Sequence, residues 1–352
     1  MIATASVLLC ILISELGIIT LGYAPGFKVL DIDGEATVYR RSDNPVLGFE
    51  LKAGYRDNAA DLSSSYPSTN HWGQRDIERD LAKPAGVRRV IVLGDSVVEG
   101  HDLADLDNTL TRQLEQLFAD GSTEVLNFGV SGYCTLAEVE LLRVKGLQFE
   151  PDVVILVFVE NDFDNFNREA HLLGPETRRP AWVHDLFQGS HLFRMAAVRF
   201  NLYDYGAERD PVAWNRRAIG DNNVVQGLRM LADLAEKEQF LPMVAIMPMF
   251  DDHVVRDVHF MDEGNGRLVV EELAAEFGIR SFRLSEDFRA SPGHPGPRLR
   301  FTVGDGLHLS PEGHRVAAAG LYRRLESTPP PPAPAGTRDR TNTRAIAAAG
   351  EL

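Results

Sequence analysis

Short apolar runs alternate with amphipathic segments along residues 90–325, and this alternation constrains the fold of the chain more than any other feature. Residues 153–159 form a continuous apolar run, which is typical of a strand buried on both faces. Residues 222–239 carry apolar side chains at helical spacing. Strands that alternate with helices predict a parallel sheet covered by helices on both faces. We therefore predict an α/β protein built in three layers.

End signals place the boundaries of several predicted helices. Thr135, with Glu138 three residues later, matches a capping box at the start of a helix. Gly278 is favoured directly after a helix, and Ser310 followed by Pro311 is a favoured helix start. The predicted strands are residues 90–93, 125–128, 153–159, 243–247 and 279–284; the predicted helices are residues 108–118, 222–239, 268–277 and 311–325, with one more that begins at residue 135.

The chain is predicted to contain one main domain with less regular flanks. Residues 90–326 form this domain, and residues 165–220 interrupt its alternation without an obvious strand, which favours a helical insertion or lid. Residues 25–89 carry scattered Pro, Gly and Ser and are predicted to be an extended lead-in. Residues 327–352 are rich in Pro, Ala, Thr and Arg, a composition typical of a disordered tail.

Residues 1–24 are almost wholly apolar, and Glu15 is their only charge. Spanning a bilayer takes about 20 such residues, whereas a cleaved signal peptide would begin with basic residues that are missing here. We predict an uncleaved membrane anchor with an extracytoplasmic catalytic domain, and a cleaved signal with secretion as the alternative. A buried apolar helix is the other reading, which Glu15 favours because a carboxylate is costly inside a membrane.

Composition excludes several classes of partner. The formal net charge of -15 and the sequence pI near 5.1 argue against nucleic acid and against an anionic membrane surface as partners. The two cysteines do not suggest a disulfide framework, and no spacing typical of a zinc site is present. The sequence therefore predicts neither a metal nor another cofactor, and it leaves the oligomeric state open.

Two motifs supply the parts of a nucleophilic site. Gly94-Asp95-Ser96 follows the first predicted strand, so Ser96 would lie at the edge of the sheet where ligands bind in α/β proteins. A serine hydroxyl needs an adjacent base to act as a nucleophile. Asp305 and His308 lie three residues apart in a late loop, where the carboxylate can orient the imidazole. We predict Ser96 as the nucleophile, His308 as the base and Asp305 as its partner.

The same residues also have structural interpretations that involve no catalysis. The residues around Ser96 can be a plain turn. His314, which lies further along the last predicted helix, competes with His308, although we expect it to be a solvated or capping histidine.

Three groups are candidates to stabilise an oxyanion, which takes preorganised hydrogen-bond donors. They are the backbone N–H of Ser96, the backbone N–H of Gly132 and the side-chain amide of Asn161. Gly132 lies in a Gly-rich stretch after the second strand and Asn161 follows the third. The alternatives are a turn glycine and a turn residue at a strand end.

Together these motifs resemble the SGNH/GDSL hydrolase superfamily over residues 90–325. The resemblance implies a flavodoxin-like three-layer α/β/α sandwich with a five-stranded parallel sheet. It also implies the same catalytic roles for Ser96, Asp305 and His308, and the same oxyanion hole. The residues that match its four sequence blocks are Gly94-Asp95-Ser96, then Gly132, then Asn161, and last Asp305 with His308.

The chain departs from the family pattern at two places. Val159 stands where a glycine usually precedes the Asn-Asp pair, and residues 97–100 continue the serine block without the usual leucine. Asn70, Gly73 and Arg75 in the lead-in also look similar to bacterial members that carry N-terminal anchors.

The predicted function is hydrolysis of small acyl esters, such as acetyl groups on glycans, through an acyl-enzyme on a serine. Acyl transfer to a sugar hydroxyl would use the same residues. A lipase or phospholipase would need an apolar cleft, which Phe163, Phe166 and Leu173 are candidates to line. The last alternative is a catalytically silent scaffold on the same fold, which the full set of site residues disfavours.

Overall fold

The structure is a computed structural model, and it describes most of the chain. The ends of two predicted segments, residues 206–222 of the insertion and residues 328–352 of the tail, lie outside the described residues. The described residues are 2–24, 26–30, 37–44, 46–56, 68–119, 121–163, 169–173, 180–205, 223–263, 266–291, 293 and 296–327.

Strands and helices alternate through the main domain, as the apolar periodicity predicts. The strands are β1 (Gly26–Leu30), β2 (Tyr39–Arg41), β3 (Phe49–Leu51), β4 (Arg88–Gly94), β5 (Thr123–Gly129), β6 (Val153–Phe158), β7 (Glu169–Leu173), β8 (Leu241–Ile246), β9 (Met249–Phe250), β10 (Val255–Arg256), β11 (Phe260–Glu263), β12 (Gly266–Val269) and β13 (Arg280–Arg283).

The helices connect these strands. They are α1 (Ile2–Leu21), α2 (Ser96–Glu99), α3 (Leu110–Leu117), α4 (Thr135–Val144), α5 (Ala181–Gly189), α6 (His191–Arg199), α7 (Asn223–Glu238), α8 (Val270–Glu276), α9 (Ser285–Arg289), α10 (Pro297–Phe301) and α11 (Pro311–Glu326), with 3-10 helices at Leu106–Asn108, Gly146–Phe149, Glu160–Phe163 and Leu202–Asp204.

A five-stranded parallel sheet forms the centre of the molecule, in the order β13-β8-β6-β4-β5. Side chains of β4 alternate between two cores, because Ile91 and Leu93 join the cluster under α4, α7 and α8, whereas Val90 and Val92 join the cluster under α3 and α11. Helices therefore cover both faces of the sheet. The predicted α/β fold, a three-layer sandwich with five parallel strands, is confirmed.

The capping box predicted at Thr135 and Glu138 is wrong. The residue that precedes α4 is Cys134, which makes no side-chain cap, and the helix begins at Thr135. Both predicted capping side chains are fully buried instead. The reason is the close packing of α4 on α7, where Gly227 lies directly against Thr135.

Two other boundaries differ because strand pairing overrides local periodicity. The helix predicted from residue 268 begins at Val270, since Gly266–Val269 pairs antiparallel with β11. Strand β8 includes Pro242, which has no N–H to donate. The sheet tolerates this proline because β8 pairs with β13 only from Met243 onward.

The insertion predicted without a strand contains one. Strand β7 lies within residues 165–220 and pairs in parallel with β1 of the lead-in. The partners are far apart in sequence, so neither short segment carries a signal for this pairing. Helices α5 and α6 follow β7.

The Glu15 carboxylate joins helix α1 to the start of helix α6. Glu15 accepts hydrogen bonds from Ser190 Oγ at 2.9 Å, from His191 N at 2.6 Å and from Leu192 N at 2.9 Å. These donors lie at the start of α6, where backbone N–H groups have no partner within the helix. In the part of the chain that the structure describes, no helix is long and apolar enough to cross a membrane.

The contact between α4 and α7 predicts that Gly227→Ala destabilises the protein. A Cβ at this position would lie 2.7 Å from Thr135 Cγ2 and 3.0 Å from Leu136 N. Overpacking of this kind costs about 1–3 kcal/mol, which exceeds the roughly 1 kcal/mol that alanine gains over glycine in a helix. Thermal unfolding measures the effect, and we expect a lower Tm.

Gly189→Ala is the matched control for this prediction. Gly189 is the last residue of α5, and among the described residues outside its own helix turn no atom lies within 4 Å of the position of its missing Cβ. We expect this variant to unfold at or slightly above the wild-type Tm. A Gly227→Ala protein as stable as Gly189→Ala would contradict the close contact.

Candidate active site

Strand β4 delivers Ser96 to the carboxyl edge of the sheet. The strand ends at Gly94, where a side chain would overlap with Val98, so the chain can turn sharply into α2. Asp95 caps this short helix, because its Oδ1 accepts a hydrogen bond from Val97 N at 2.9 Å. Ser96 is therefore the first residue of a helix and is fixed by a rigid strand.

The loop before α11 holds Asp305 and His308 in one compact turn. Asp305 Oδ1 accepts hydrogen bonds from Leu307 N at 2.9 Å and from His308 N at 3.0 Å. Gly306 has a φ of 89°, and a Cβ there would lie 2.7 Å from the carbonyl oxygen of Phe250. Only glycine fits this conformation and this close approach.

The structure brings Ser96, His308 and Asp305 together. The His308 Nε2 atom lies 2.9 Å from Ser96 Oγ, and the Nδ1 atom lies 2.5 Å from Asp305 Oδ2. A carboxylate beside Nδ1 favours the tautomer with its proton on that nitrogen. Nε2 then has a lone pair that faces the serine hydroxyl, which is the geometry of a nucleophile beside its general base.

Asp305 is suited to remain charged at neutral pH. Burial raises its pKa, but hydrogen bonds from Leu307 N and from His308 outweigh burial and hold the pKa of this carboxyl below its usual range. An ionised Asp305 orients His308 and stabilises a positive charge on the ring.

Asn161 lies on the other side of Ser96, in the 3-10 helix that follows β6. Its Nδ2 donates a hydrogen bond to Asp95 Oδ2 at 2.8 Å. This bond uses one of the two N–H groups of the amide, so the second can face a substrate. Asp95, which sequence reasoning treated only as part of the motif, thus orients the amide beside the candidate nucleophile.

Gly132 lies after β5, which is the other neighbour of β4 in the sheet. Its φ of 83° is a left-handed conformation that side chains rarely adopt. The ring of Phe49 lies 3.7 Å from the position of a Cβ at Gly132. The loops after β4, β5 and β6 therefore carry all three candidate oxyanion donors at one edge of the sheet.

Two further acids near Asp95 have no contact with solvent. Glu138 and Asp162 are fully buried, and neither carboxylate oxygen of Glu138 has a hydrogen-bond partner among the described residues. Burial, followed by the nearby Asp162 carboxyl, raises the pKa of Glu138 well above its usual range. Burial and Asp95 likewise raise the pKa of Asp162. Both side chains are therefore suited to be neutral acids.

His101 is a site residue that sequence reasoning missed. Its ring lies 4.4 Å from the ring of His308, measured between centroids. Burial, and next the nearby His308, lowers the pKa of His101 below its usual value, so a neutral ring packs against the candidate base. The sequence signal for His101 was its position directly after Gly100, the residue that follows the helix begun by Ser96.

His314 is not the solvated or capping histidine that the sequence suggested. It is fully buried within α11, and neither ring nitrogen has a hydrogen-bond partner among the described residues. Burial, with the charge of Arg75, lowers the pKa of His314 to about 3. It does not compete with His308 for Ser96.

The described residues contain no group of three or more His, Cys, Asp or Glu side chains placed to hold a metal ion.

The chain matches the model of the GDSL-like Lipase/Acylhydrolase family over residues 92–316. This span contains every candidate site residue described above. The chain belongs to this family, which is part of the SGNH hydrolase superfamily and acts on esters. A comparison with curated protein sequences found no significant match.

Solved structures that match the chain include a lipase/acylhydrolase and two esterases. The lipase/acylhydrolase from Enterococcus faecalis is 17% identical, with a TM-score of 0.38, over 68% of this chain and 96% of its own. The acetyl xylan esterase AlAXEase is 15% identical, with a TM-score of 0.38, over 67% of this chain and 99% of its own. A two-domain esterase active on acetylated mannans is 14% identical, with a TM-score of 0.40, over 72% of this chain and 54% of its own.

The contacts of Asp305 predict a large effect of Asp305→Asn on activity. The new side chain can still accept hydrogen bonds from Leu307 N and His308 N, so the loop should keep its shape. Its amide donates toward Nδ1, which places the His308 proton on Nε2 and removes the acceptor for Ser96. We expect kcat for ester hydrolysis to fall on the order of 10³–10⁴-fold.

Asp252→Asn is the matched control, because Asp252 is an exposed acid outside the turn and contacts Arg298 at 3.8 Å. Steady-state kinetics with a p-nitrophenyl ester should give a near wild-type kcat for this variant. A loss below about tenfold in Asp305→Asn would contradict the role of the carboxylate.

Proposed function

We propose that this protein is a serine esterase in which Ser96 forms an acyl-enzyme with small acyl esters. The observation that carries the proposal is the chain of contacts from Ser96 Oγ to His308 Nε2, at 2.9 Å, and from His308 Nδ1 to Asp305 Oδ2, at 2.5 Å. Membership of a family of ester hydrolases supports the same reaction class.

Acylation begins when Ser96 Oγ attacks the carbonyl carbon of the ester. The hydroxyl proton moves to His308 Nε2 as the new C–O bond forms, and Asp305 stabilises the resulting imidazolium. The carbonyl oxygen becomes an oxyanion in the tetrahedral intermediate. The intermediate collapses when the bond to the alcohol oxygen breaks, and His308 gives its proton to the leaving alcohol.

Deacylation repeats these steps with water. His308 Nε2 takes a proton from the water as its oxygen attacks the acyl carbon. The tetrahedral intermediate then releases the carboxylic acid, and Ser96 Oγ recovers the proton from His308. In both halves the oxyanion is stabilised by the N–H groups of Ser96 and Gly132 and by the Asn161 amide, each typically worth on the order of 10²–10³ in rate.

We propose short acyl groups, such as acetyl esters on glycans, as the substrates. A long-chain lipase would need an apolar cleft, and Phe163 was one of three candidates to line it. Phe163 instead belongs to the core, where its ring lies 4.8 Å from the ring of Phe158. Phe166 lies outside the described residues, and the structure describes only the backbone of Leu173.

The test compares wild-type protein with Ser96→Ala on p-nitrophenyl acetate, butyrate and palmitate. We expect Ser96→Ala to reduce turnover to background because no other hydroxyl lies beside His308 Nε2 among the described residues. Ser327→Ala, at an exposed serine after α11, is the control and should keep wild-type turnover. Wild-type activity should fall as the acyl chain lengthens.

Other results would change the proposal in defined ways. Full activity in a folded Ser96→Ala protein would overturn the nucleophile. Highest activity on palmitate would overturn the substrate class and favour a lipase. Turnover that appears only after a sugar acceptor is added would identify acyl transfer rather than hydrolysis.

A further inference from the structure

We propose that Glu99 is a positioning residue that fixes the Gly132 oxyanion donor relative to Ser96. The inference rests on the proposed function and adds a residue to its site. We use the name oxyanion loop for residues 129–133, which connect β5 to the segment before α4.

The Glu99 side chain links the nucleophile helix to the part of the oxyanion loop that precedes Gly132. Glu99 is the last residue of α2, the helix that begins with Ser96, and its backbone N donates a hydrogen bond to Asp95 O at 3.0 Å. The carboxylate oxygen Oε2 accepts a hydrogen bond from Ser131 N. Ser131 is the neighbour of Gly132 in the chain. Two of the three proposed oxyanion donors are therefore tied together through Glu99.

The base of the oxyanion loop is fixed by other contacts. Val130 N donates to Gly94 O at 3.0 Å, and Asn127 Nδ2 donates to Val98 O at 3.0 Å. Gly129 lies so close to α2 that a side chain there would overlap with the backbone of Glu99. These bonds hold the start of the loop. Beyond Gly132, Tyr133 N donates to Val130 O at 3.1 Å and Tyr133 OH donates to Phe49 O. The bond between Glu99 and Ser131 therefore holds the residue directly before Gly132.

Stability alone does not account for an acid at this position. Glu99 is fully buried, and its second oxygen, Oε1, has no hydrogen-bond partner among the described residues. A buried carboxyl that is only partly hydrogen-bonded costs free energy, and an apolar side chain of similar size would often cost less. The bond to Ser131 is the contact that an apolar residue cannot make.

Several charged and titratable groups surround Glu99. Burial raises the pKa of Glu99 to about 7. Hydrogen bonds from the side chain and the backbone of Ser131 and the charge of Arg75 oppose this rise, while Asp95 adds to it. Arg75 donates to the carbonyl oxygens of Glu99, Gly100 and Leu103. Tyr133, whose own pKa burial raises, is another titratable neighbour.

Two substitutions separate the hydrogen bond from the charge. Glu99→Gln keeps an oxygen that can accept from Ser131 N, so we expect kcat within about threefold of wild type. Glu99→Met fills the same space without an acceptor, so the hydrogen bond from Ser131 N to residue 99 is lost. We expect kcat of this variant to fall roughly 10–100-fold with KM within about threefold, since a full oxyanion donor is worth on the order of 10²–10³.

Both substitutions should raise stability, although only Glu99→Met should lower activity. The pKa of Glu99 is higher in the folded protein than its ordinary value of 4.5, so the folded state loses stability as the pH rises from that value to about 7. Neither Gln nor Met carries this penalty. The Tm of both variants should therefore rise relative to wild type between about pH 5 and about pH 8. A general loss of structure would instead lower Tm and kcat together.

The outcomes distinguish this inference from the proposed function. If wild-type protein has no esterase activity, or Ser96→Ala keeps it, the proposed function fails before Glu99 is tested. If Ser96→Ala is inactive but Glu99→Met keeps wild-type kcat, the positioning role is overturned and the esterase stands. If Glu99→Met does not fold, the Gln variant decides, because a folded Glu99→Gln protein with a hundredfold lower kcat overturns the proposal.

Discussion

The register between β4 and its two neighbours is the constraint on which the site depends. Gly94 pairs with Gly129 of β5, and Leu93 pairs with Leu156 of β6, so the three strands end close together. Because the strands are parallel, the loops that follow them leave from the same edge of the sheet. A shift of β4 by one residue would exchange the side chains that face the two cores, so apolar packing fixes the register and thereby the site.

Buried acids concentrate at this edge, although burying an ionisable group costs free energy. Asp95 is fully buried, and its two oxygens accept from Val97 N and from Asn161 Nδ2, so the cost is offset by bonds that orient the site. Burial raises the pKa of Asp95 as it does for Glu99. The site is thus positioned by polar groups that a core built only for stability would not contain.

The parts predicted from the sequence are those that local patterns specify. Apolar runs located β4, β6 and β8 because a strand buried on both faces has few polar residues. The edge strand β13, with the sequence Arg-Ser-Phe-Arg, is only partly buried. Ser310 was correctly placed as a helix cap, since its Oγ accepts from Gly313 N at 3.2 Å. The pairing of β1 with β7, the contact of the His101 ring with His308 and the burial of His314 all depend on segments distant in sequence. No periodicity within a single segment carries that information, so these features appear only in the structure.

The central claim is that Ser96 is a nucleophile activated by His308. Its most direct measurement is fluorophosphonate labelling of the full-length protein, followed by identification of the modified peptide by mass spectrometry. The account predicts one modified residue, Ser96, and a rate of labelling that falls on the order of 10³-fold or more in His308→Ala. Folded wild-type protein that stays unmodified, or carries the label on another residue, would contradict it.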